Sequence, residues 1–260
     1  MKLTAAILGI FISFATSVPA QWQAGAAKVD ITPTESVPLA GYSGTRMSQR
    51  VDHPIWIKAL ALRDESDSLS VIVTSDLVGL STKMVDRIAS MAFEKHGVVR
   101  ERLILNYSHN HSCPVTEDVL WLYYDLNAEE TAARDRYTTK LYNQYDDVIG
   151  DAIANLEPAE LHFEQGLAGF AVNRRRARPD GRKLGGQVDH DVPVLAVKSG
   201  DQTKAIIFGY SCHTTALGGL SINGDYAGFA QLELEESYPG SVALFVQNCG
   251  GDANPLPRIR

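Results

Sequence analysis

The fold of this chain is decided by the stretch Leu103-Ile104-Leu105-Asn106-Tyr107-Ser108-His109-Asn110-His111-Ser112-Cys113-Pro114 (residues 103–114). Its apolar beginning predicts a buried strand, and Pro114 predicts the end of regular structure. Two histidines at positions i and i+2 of an extended chain point to the same face. His109 and His111 could therefore offer ring nitrogens to one metal ion past the strand end, because imidazole is a common zinc ligand. The alternative is a pair of polar loop histidines with ordinary hydrogen-bond partners.

Chemically capable side chains also follow three other predicted strands. Asp76 comes after the run 71–75, His213 after 206–212, and Asp252 lies in a Gly-rich turn after 244–246. Each of them alone has an ordinary explanation, since Asp and Asn often end strands by bonding to turn backbone. Four such strand ends at one edge of a sheet favour a metal pocket.

Strand and helix patterns alternate along the chain. Apolar or β-branched runs predict strands at 27–31, 55–62, 69–74, 101–107, 160–164, 192–198, 204–210 and 242–246. Helical spacing predicts helices over 81–96, closed by Gly97, and over 128–156, ended by Glu157-Pro158. This order indicates an α/β fold, a mixed β-sheet sandwich with helices and with functional loops at strand ends, in one domain. The polar segment 173–187 is expected to form a surface loop or flap.

The composition limits the classes of partner. The formal net charge of −7 argues against nucleic-acid binding. The one basic cluster, between residues 174 and 183, is short and lacks interleaved aromatic residues. The sequence therefore predicts no nucleic-acid partner.

Residues 1–20 have the pattern of a signal peptide. Lys2 precedes an apolar run, and Val18-Pro19-Ala20 offers small residues for cleavage before Gln21. A transmembrane anchor needs about 20 apolar residues, more than this run supplies. We therefore expect an exported protein, periplasmic or secreted, without a transmembrane anchor, whose mature domain covers residues 21–260.

The three cysteines are an odd count for an exported chain, so at least one is unpaired or pairs between chains. Cys113 lies two residues after His111, Cys212 lies directly before His213, and Cys249 lies in a Gly-rich turn. A thiolate could serve as a soft metal ligand. The alternative is that these small residues fill tight space.

Several segments resemble the neutral/alkaline non-lysosomal ceramidases, in order from about residue 24 to the C-terminus. They are the opening Gly25-Ala26-Ala27-Lys28-Val29-Asp30-Ile31-Thr32-Pro33 with Gly41-Tyr42, the histidine segment Ser108-His109-Asn110-His111-Ser112-Cys113-Pro114, Val172-Asn173-Arg174, Tyr210-Ser211-Cys212-His213-Thr214-Thr215, Asn223-Gly224-Asp225-Tyr226-Ala227-Gly228, and Gly251-Asp252-Ala253-Asn254-Pro255. Together these segments are specific, although none is so alone.

The resemblance implies a zinc-dependent amidase that splits an N-acyl bond. It implies that His109 and His213 bind Zn2+, and that His111 lies beside the reacting carbonyl. It also implies that Arg174 holds the substrate or the developing oxyanion. Zinc supports such chemistry by polarising a carbonyl and acidifying water, and a nearby cation or imidazole stabilises an oxyanion. The alternatives are an outer, structural imidazole for His111 and a solvated loop charge for Arg174.

The nucleophile loop departs from the family pattern. Asn254 stands where the family has Ser, and asparagine cannot act as a hydroxyl nucleophile, although it can donate a hydrogen bond to an oxyanion. Asp252 keeps its place in the loop. It could orient a histidine or a water molecule, or it could cap the turn.

The length of the chain is a second departure. Family members continue past this loop and supply two further zinc ligands, a Glu and a Tyr, whereas a catalytic zinc site normally has three protein ligands. We therefore expect the ceramidase-like catalytic domain of this chain to be C-terminally truncated, with reduced metal affinity and activity. Asp225, Asp252 or a cysteine are the candidate substitutes for a third ligand.

The sequence thus predicts a zinc-dependent hydrolase of linear amide bonds in ceramide or another N-acylated lipid or amine. Two alternatives stay open. One is a metal-dependent hydrolase of a soluble amide or ester, because the loop lacks the usual nucleophile. The other is a catalytically dead, secreted binding domain that kept the scaffold.

Overall fold

The computed structural model describes residues 22–176 and 185–258. The predicted signal peptide, residues 1–20, lies outside the described residues. So do Arg178, Arg182 and Lys183 of the basic cluster and much of the predicted flap.

The described residues form twelve strands and three α-helices. The strands are β1 (Trp22–Asp30), β2 (Arg50–Val51), β3 (Trp56–Asp64), β4 (Leu69–Ser75), β5 (Leu103–Tyr107), β6 (Glu157–Leu167), β7 (Ala171–Asn173), β8 (Asp191–Ser199), β9 (Gln202–Tyr210), β10 (Ser221–Ile222), β11 (Val242–Gln247) and β12 (Ala253–Pro255). The helices are α1 (Thr82–His96), α2 (Ala128–Ala154) and α3 (Asp225–Ser237). Every predicted strand is present, and most are longer than the apolar runs that indicated them.

Eight strands form one mixed sheet in the order β11-β9-β8-β6-β1-β3-β4-β5. Its neighbours are antiparallel except for two parallel pairs, β4 with β5 and β9 with β11. Each parallel pair is joined by a crossover helix, α1 in the first and α3 in the second. The carboxyl ends of the strands in these two pairs carry the histidine-bearing loops. Two small sheets, β2 with β10 and β7 with β12, pair the loops beyond them.

The sheet folds on itself, so that its two halves pack as a sandwich. On β3 the side chains alternate: Ile57, Ala59 and Ala61 join the core under α1 and α2, whereas Leu60 and Leu62 face the other half of the sheet. There they meet a second set of apolar residues, among them Val197, Ala205 and Leu244. Helix α3 covers the outer face of that second half, where its Ala227 packs with Phe208 of β9 and Phe245 of β11. The predicted α/β sandwich is confirmed.

Two polar contacts also join the halves. Lys58, only 2% exposed, points inward from β3 and donates to Glu235 Oε1 on α3 at 2.7 Å and to the Ala243 carbonyl at 2.9 Å. Asn106 on β5 exchanges two hydrogen bonds with the Gln247 backbone on β11, of 3.2 and 2.9 Å. The second contact holds the ends of β5 and β11 together beside the histidine loops.

Helix α1 begins and ends where the sequence predicts, and helix α2 begins where the sequence predicts. The Ser81 side chain accepts from the Met84 N–H, and Gly97 ends α1 with a φ of 71°. Asn127 opens α2 in a capping box with Glu130.

The structure corrects the end of one predicted helix and adds one helix that was not predicted. Helix α2 ends at Ala154 and not at residue 156, because Asn155 closes it, and Glu157-Pro158 begins β6. Helix α3 was not predicted. Its apolar residues form no single stripe, since Phe229 and Leu232 are exposed while Gln231 is buried.

Candidate metal centre

The turn after β5 carries His109 and His111. His109 has a φ of 56°, in the left-handed region. The expectation that both histidines lie on an extended backbone is therefore wrong, because a turn and not strand alternation brings their rings together. Asn110 fixes the turn: its buried side chain donates to the Asn223 carbonyl at 2.6 Å and accepts from the Ser112 N–H at 2.8 Å.

His213 follows β9 and is positioned by the loop after β11. Its backbone N–H donates to the Ala253 carbonyl at 3.0 Å, and its Nδ1 lies 2.8 Å from the Gly250 carbonyl. The adjacent Thr214 hydroxyl donates to the carbonyl of Ser108 in the turn after β5. Hydrogen bonds thus tie the ends of β9, β11 and β5 into one unit, which brings the histidine of one loop to the pair in the other.

The three imidazoles form one cluster. One ring nitrogen of each of His109, His111 and His213 lies within 4.8 Å of the other two. In the part of the chain that the structure describes, no other group of three or more His, Cys, Asp or Glu side chains has this spacing. The structure brings the rings of His109, His111 and His213 together, as the sequence predicted. That these rings bind a metal ion stays a prediction.

Backbone carbonyls set the tautomers of two of the rings. His109 Nδ1 lies 2.8 Å from the Val78 carbonyl, and His213 Nδ1 makes the equivalent contact with Gly250. We assign the proton to Nδ1 in both, because a carbonyl can only accept. The Nε2 lone pairs of both rings are then directed away from these carbonyls, an arrangement that is usual for metal-binding histidines.

The electrostatic surroundings keep these rings neutral. Burial is the largest cause that lowers the imidazole pKa values, to about 3 for His111 and about 4 for His213, and it also lowers the pKa of His109. The positive charge of Arg174 lowers all three pKa values further. Three neutral imidazoles with available lone pairs fit a divalent ion, and an all-imidazole donor set suits zinc, copper, iron or nickel.

Arg174 lies against the cluster. Its Nη2 is 3.2 Å from His213 Nε2, and its Nε and Nη2 donate to the Gly251 carbonyl at 3.2 and 2.9 Å. The alternative of a freely solvated loop charge does not describe this side chain. Arg175, its neighbour, is exposed and uses its backbone N–H to donate to the Asn173 side chain at 3.0 Å.

Asp252 lies beside the arginine segment. Its exposed carboxylate accepts from Asn173 Nδ2 at 2.8 Å, and its carbonyl accepts from the Arg174 N–H at 2.7 Å. Among the described hydrogen bonds, none joins this carboxylate to a histidine. The roles that the sequence left open for Asp252 stay predictions, since its carboxylate bonds to the Asn173 side chain.

Asn254 lies in β12, opposite Val172 of β7. Its Oδ1 is buried and has no hydrogen-bond partner among the described residues. The preceding residue, Ala253, is the one whose carbonyl fixes His213. Asn254 is therefore joined to the site through the backbone of its neighbour, and its Oδ1 lacks a donor among the described residues.

Sequence reasoning missed Arg258. Its Nε donates to the Thr215 carbonyl at 2.8 Å, and its charge contributes to the lowered pKa values of His111, His213 and Arg174. No local pattern around residue 258 signals this position, because only the fold brings it to the loop after β9. Arg174 thus contacts the cluster directly, whereas Arg258 influences it through its charge.

Asp225 and the cysteines, the other candidates for a third metal ligand, do not belong to the histidine cluster. The buried Asp225 carboxylate accepts from the Ala216 and Leu217 N–H groups, each at 2.9 Å, and so fixes the loop after His213. The three cysteines are free. Cys113 and Cys212 are buried, which raises their thiol pKa values, to about 12 for Cys212, so both act as small packing residues.

A cavity of about 660 Å³ opens beside His109. Its walls mix polar residues, such as Lys83 and Asp118, with apolar ones, such as Val119 and Trp121. At its rim the single-turn helix Trp121–Tyr123 carries side chains that are 65% (Trp121) and 76% (Leu122) exposed. An apolar edge therefore borders a cavity that reaches the cluster.

None of the helices in residues 22–176 and 185–258 combines the length and the apolar character that a membrane crossing requires.

Comparison with known proteins places the fold. No protein-family model matches this sequence, and no curated protein is recognisably similar to it. Among solved structures, the chain is similar to neutral ceramidase from Pseudomonas aeruginosa, with a TM-score of 0.75 and 20% identity, over 91% of this chain and 40% of that one. A ceramidase complexed with C2 matches with a TM-score of 0.75 and 22% identity, over 91% of this chain and 39% of that one. The resemblance inferred from the sequence is confirmed at the level of the fold, and this chain spans about 40% of the length of those ceramidases.

Proposed function

We propose that this chain is a zinc-dependent hydrolase domain that cleaves the linear amide bond of an N-acylated lipid of the ceramide type. The observation that carries the proposal is the convergence of His109, His111 and His213 from the ends of two parallel strand pairs, with two tautomers set by backbone carbonyls. The fold shared with neutral ceramidases supports it.

In this proposal His109 and His213 hold the metal through Nε2, while Val78 and Gly250 keep the two rings in place. When bound, zinc would supply Lewis acidity to the substrate carbonyl and would lower the pKa of water. The chain itself contributes rigidity, because Asn110 and Thr214 tie the two histidine loops together. Such preorganisation lets a site bind charge without moving at the moment of reaction.

Arg174 is the proposed stabiliser of the oxyanion. Two hydrogen bonds to the Gly251 carbonyl hold its guanidinium beside the imidazoles, and Asp252 fixes the backbone that carries it. A cation held in this way can donate to the oxygen that becomes negative when the amide carbonyl is attacked. Asp252 is thus a positioning residue.

Asn254 is the proposed partner of the substrate amide. Its buried Oδ1 lacks a donor among the described residues, and an amide N–H is a donor that a substrate would bring. The hydrogen bond would orient the scissile bond toward Arg174 and the imidazoles. This role needs no hydroxyl at position 254, which is consistent with the departure from the family pattern.

The rim of the cavity supports a lipid substrate. Exposed Trp121 and Leu122 would contact acyl chains, while Lys83 and Asp118 would lie near a polar head group.

The predicted signal peptide supports an exported enzyme, and N-terminal sequencing of the secreted protein would test that part. A start at residue 21 is the expected result.

The proposal is tested by hydrolysis assays on three matched substrates: an N-acyl sphingoid lipid, a soluble N-acyl amine, and an ester of the same acyl chain. We expect turnover of the lipid amide, its loss after chelation, and its return with zinc. Turnover of only the soluble substrates would support the first alternative. Zinc binding or lipid binding without turnover of any of the three would support a binding domain.

A further inference from the structure

Arg258 is fixed to the turn that carries His213. Its Nε donates to the Thr215 carbonyl at 2.8 Å, and the Thr215 N–H donates to the His213 carbonyl at 3.0 Å. The side chain is half-buried, and neither of its terminal nitrogens has a partner among the described hydrogen bonds. A guanidinium has only donors, so the N–H groups on these two nitrogens are available to a ligand that accepts hydrogen bonds.

Arg174 brings a second guanidinium to the same histidine. Its Nη2 lies 3.2 Å from His213 Nε2, and its hydrogen bonds to the Gly251 carbonyl hold it there. Burial lowers the pKa of Arg174, and the charges of Arg175 and Arg258 lower it further. Two cations on opposite loops therefore repel each other beside the histidines.

No carboxylate neutralises these two side chains in the described part of the chain. No salt bridge joins an Asp or Glu there to either of them, whereas Arg50 and Arg136 each have one. The two carboxylates whose charges act on them are engaged: Asp225 accepts from backbone N–H groups, and Asp252 accepts from a side-chain amide. The positive charge at this point is thus left for a ligand to balance.

A carboxylate is the ligand that this pair of arginines favours. An anion close to both would offset their repulsion, and a guanidinium binds a carboxylate through paired N–H donors. Hydrolysis of a linear amide by water releases an amine and a carboxylic acid, and the acid is ionised at neutral pH. An N-acyl amino acid carries a carboxylate on the amine side before any reaction.

We infer that Arg258 is a substrate-binding residue that, together with Arg174, binds a carboxylate beside the histidines. The inference rests on the proposed amide hydrolysis and adds a ligand class to it. The carboxylate belongs either to the released acid or to the amine half of an N-acyl amino acid. In the first case the oxygen that Arg174 would stabilise during the reaction becomes an oxygen of the bound acid.

The inference is tested by calorimetric titration of two carboxylates and their neutral counterparts. Octanoate and octanamide represent the released acid, and N-octanoylglycine and N-octanoylglycinamide represent the amine side. They are titrated into the wild-type chain, R258M, R258K and R175M, all at the same zinc loading. Met keeps an apolar stem without charge, Lys keeps the charge without the planar fork, and R175M is the matched control at an exposed arginine.

We expect the wild-type chain and R175M to bind at least one carboxylate about 10- to 100-fold more tightly than its neutral counterpart, as for hydrogen bonds to a charged group. R258M should lose this preference, and R258K should keep part of it. A preference confined to octanoate identifies the released acid as the ligand. A preference confined to N-octanoylglycine identifies an N-acyl amino acid.

Two results would overturn the inference: equal affinity of the wild-type chain for the charged and neutral members of both pairs, or a folded R258M with the wild-type preference. The first needs no variant, so the test holds even if R258M fails to fold. A carboxylate preference that R258M loses, in a chain that hydrolyses none of the three assay substrates, would leave the inference standing and overturn the proposed function.

Discussion

The Arg174 guanidinium donates to the ring of His213 at the nitrogen that would bind a metal. The Arg174 Nη2 lies 3.2 Å from His213 Nε2, the atom through which this histidine would bind a metal, while Nδ1 is held by the Gly250 carbonyl. A metal ion on Nε2 would take the acceptor that Arg174 now uses, and the guanidinium would keep its bonds to Gly251. Metal loading would thus release an Arg174 donor beside the site of reaction.

We predict that R174A separates metal binding from turnover. Zinc affinity should stay equal or rise, because a competing donor and a nearby positive charge are removed. The kcat for amide hydrolysis should fall about 100- to 1,000-fold, as for the loss of an oxyanion donor. Zinc titration and steady-state kinetics check both, with R175A as a matched control at the exposed neighbour. A parallel loss of zinc affinity in R174A would mean that Arg174 builds the site instead.

For Asn254 we predict opposite effects on stability and activity. Its Oδ1 is buried without a partner among the described residues, and an unsatisfied polar group costs about 1–3 kcal/mol. N254A should therefore have a free energy of unfolding equal to or above that of the wild type, yet a lower kcat/KM. Denaturant unfolding and kinetics test this together. Wild-type kinetics in N254A would remove Asn254 from the site.

The buried ion pair between Lys58 and Glu235 should stabilise the sandwich. E235Q removes the one carboxylate in the described part of the chain that is hydrogen-bonded to the Lys58 ammonium, which is 2% exposed, so we expect a loss of about 3–5 kcal/mol in the free energy of unfolding. The double variant K58M/E235Q removes both charges and should regain most of this loss. Urea unfolding of the wild type, both single variants and the double variant gives the coupling. A double variant as unstable as E235Q would contradict the assignment.

The same pair gives a pH dependence of known sign. Burial raises the pKa of Glu235, but Lys58 and the hydrogen bonds from Lys28 and Lys58 outweigh it, and the net pKa is lowered from 4.5. A lowered carboxyl pKa contributes stability that is fully present above the unfolded-state value and is lost as pH falls through the folded-state value. We expect wild-type stability to decline below about pH 4.5, with a smaller slope in E235Q. Equal slopes in the two proteins would mean that other carboxyl groups dominate.

The rim of the cavity should matter for lipid substrates alone. The double variant W121A/L122S removes two exposed apolar side chains beside the cavity that reaches His109. We expect KM to rise for an N-acyl lipid in vesicles and to stay constant for a short, soluble N-acyl amine. F163A, which alters a 66% exposed residue of β6, is the control. An equal effect on both substrates would argue against a lipid-contacting rim.

The fold class could be predicted from the sequence because its signals are local. The alternation of strands with helices, the Ser81 and Gly97 caps and the apolar runs each depend on a few neighbouring residues. The individual contacts that close the sandwich could not be predicted, because they join residues far apart in the chain, such as Asn106 and Gln247, which are separated by 141 residues. Helix α3 also escaped prediction, since its buried positions include Gln231 and Gly228 and give no apolar stripe.

At the site, too, local sequence signals could be interpreted and long-range contacts could not. The sequence identified His109, His111 and His213 because each follows a strand, and strand ends of parallel pairs meet at one edge. It misjudged the backbone at His109, because a left-handed φ at a histidine has no local signature. It also missed Arg258, which the path of the chain after β12 brings to the Thr215 carbonyl, near enough for its charge to lower the pKa values of His111 and His213.

The central claim is tested most directly by the zinc content of the purified, folded chain, measured by elemental analysis with H109A, H213A and H162A alongside. We predict about one zinc per chain in the wild type and in H162A, and almost none in H109A or H213A. A folded wild-type chain without zinc after loading, or H109A and H213A with wild-type zinc content, would contradict the proposed metal centre.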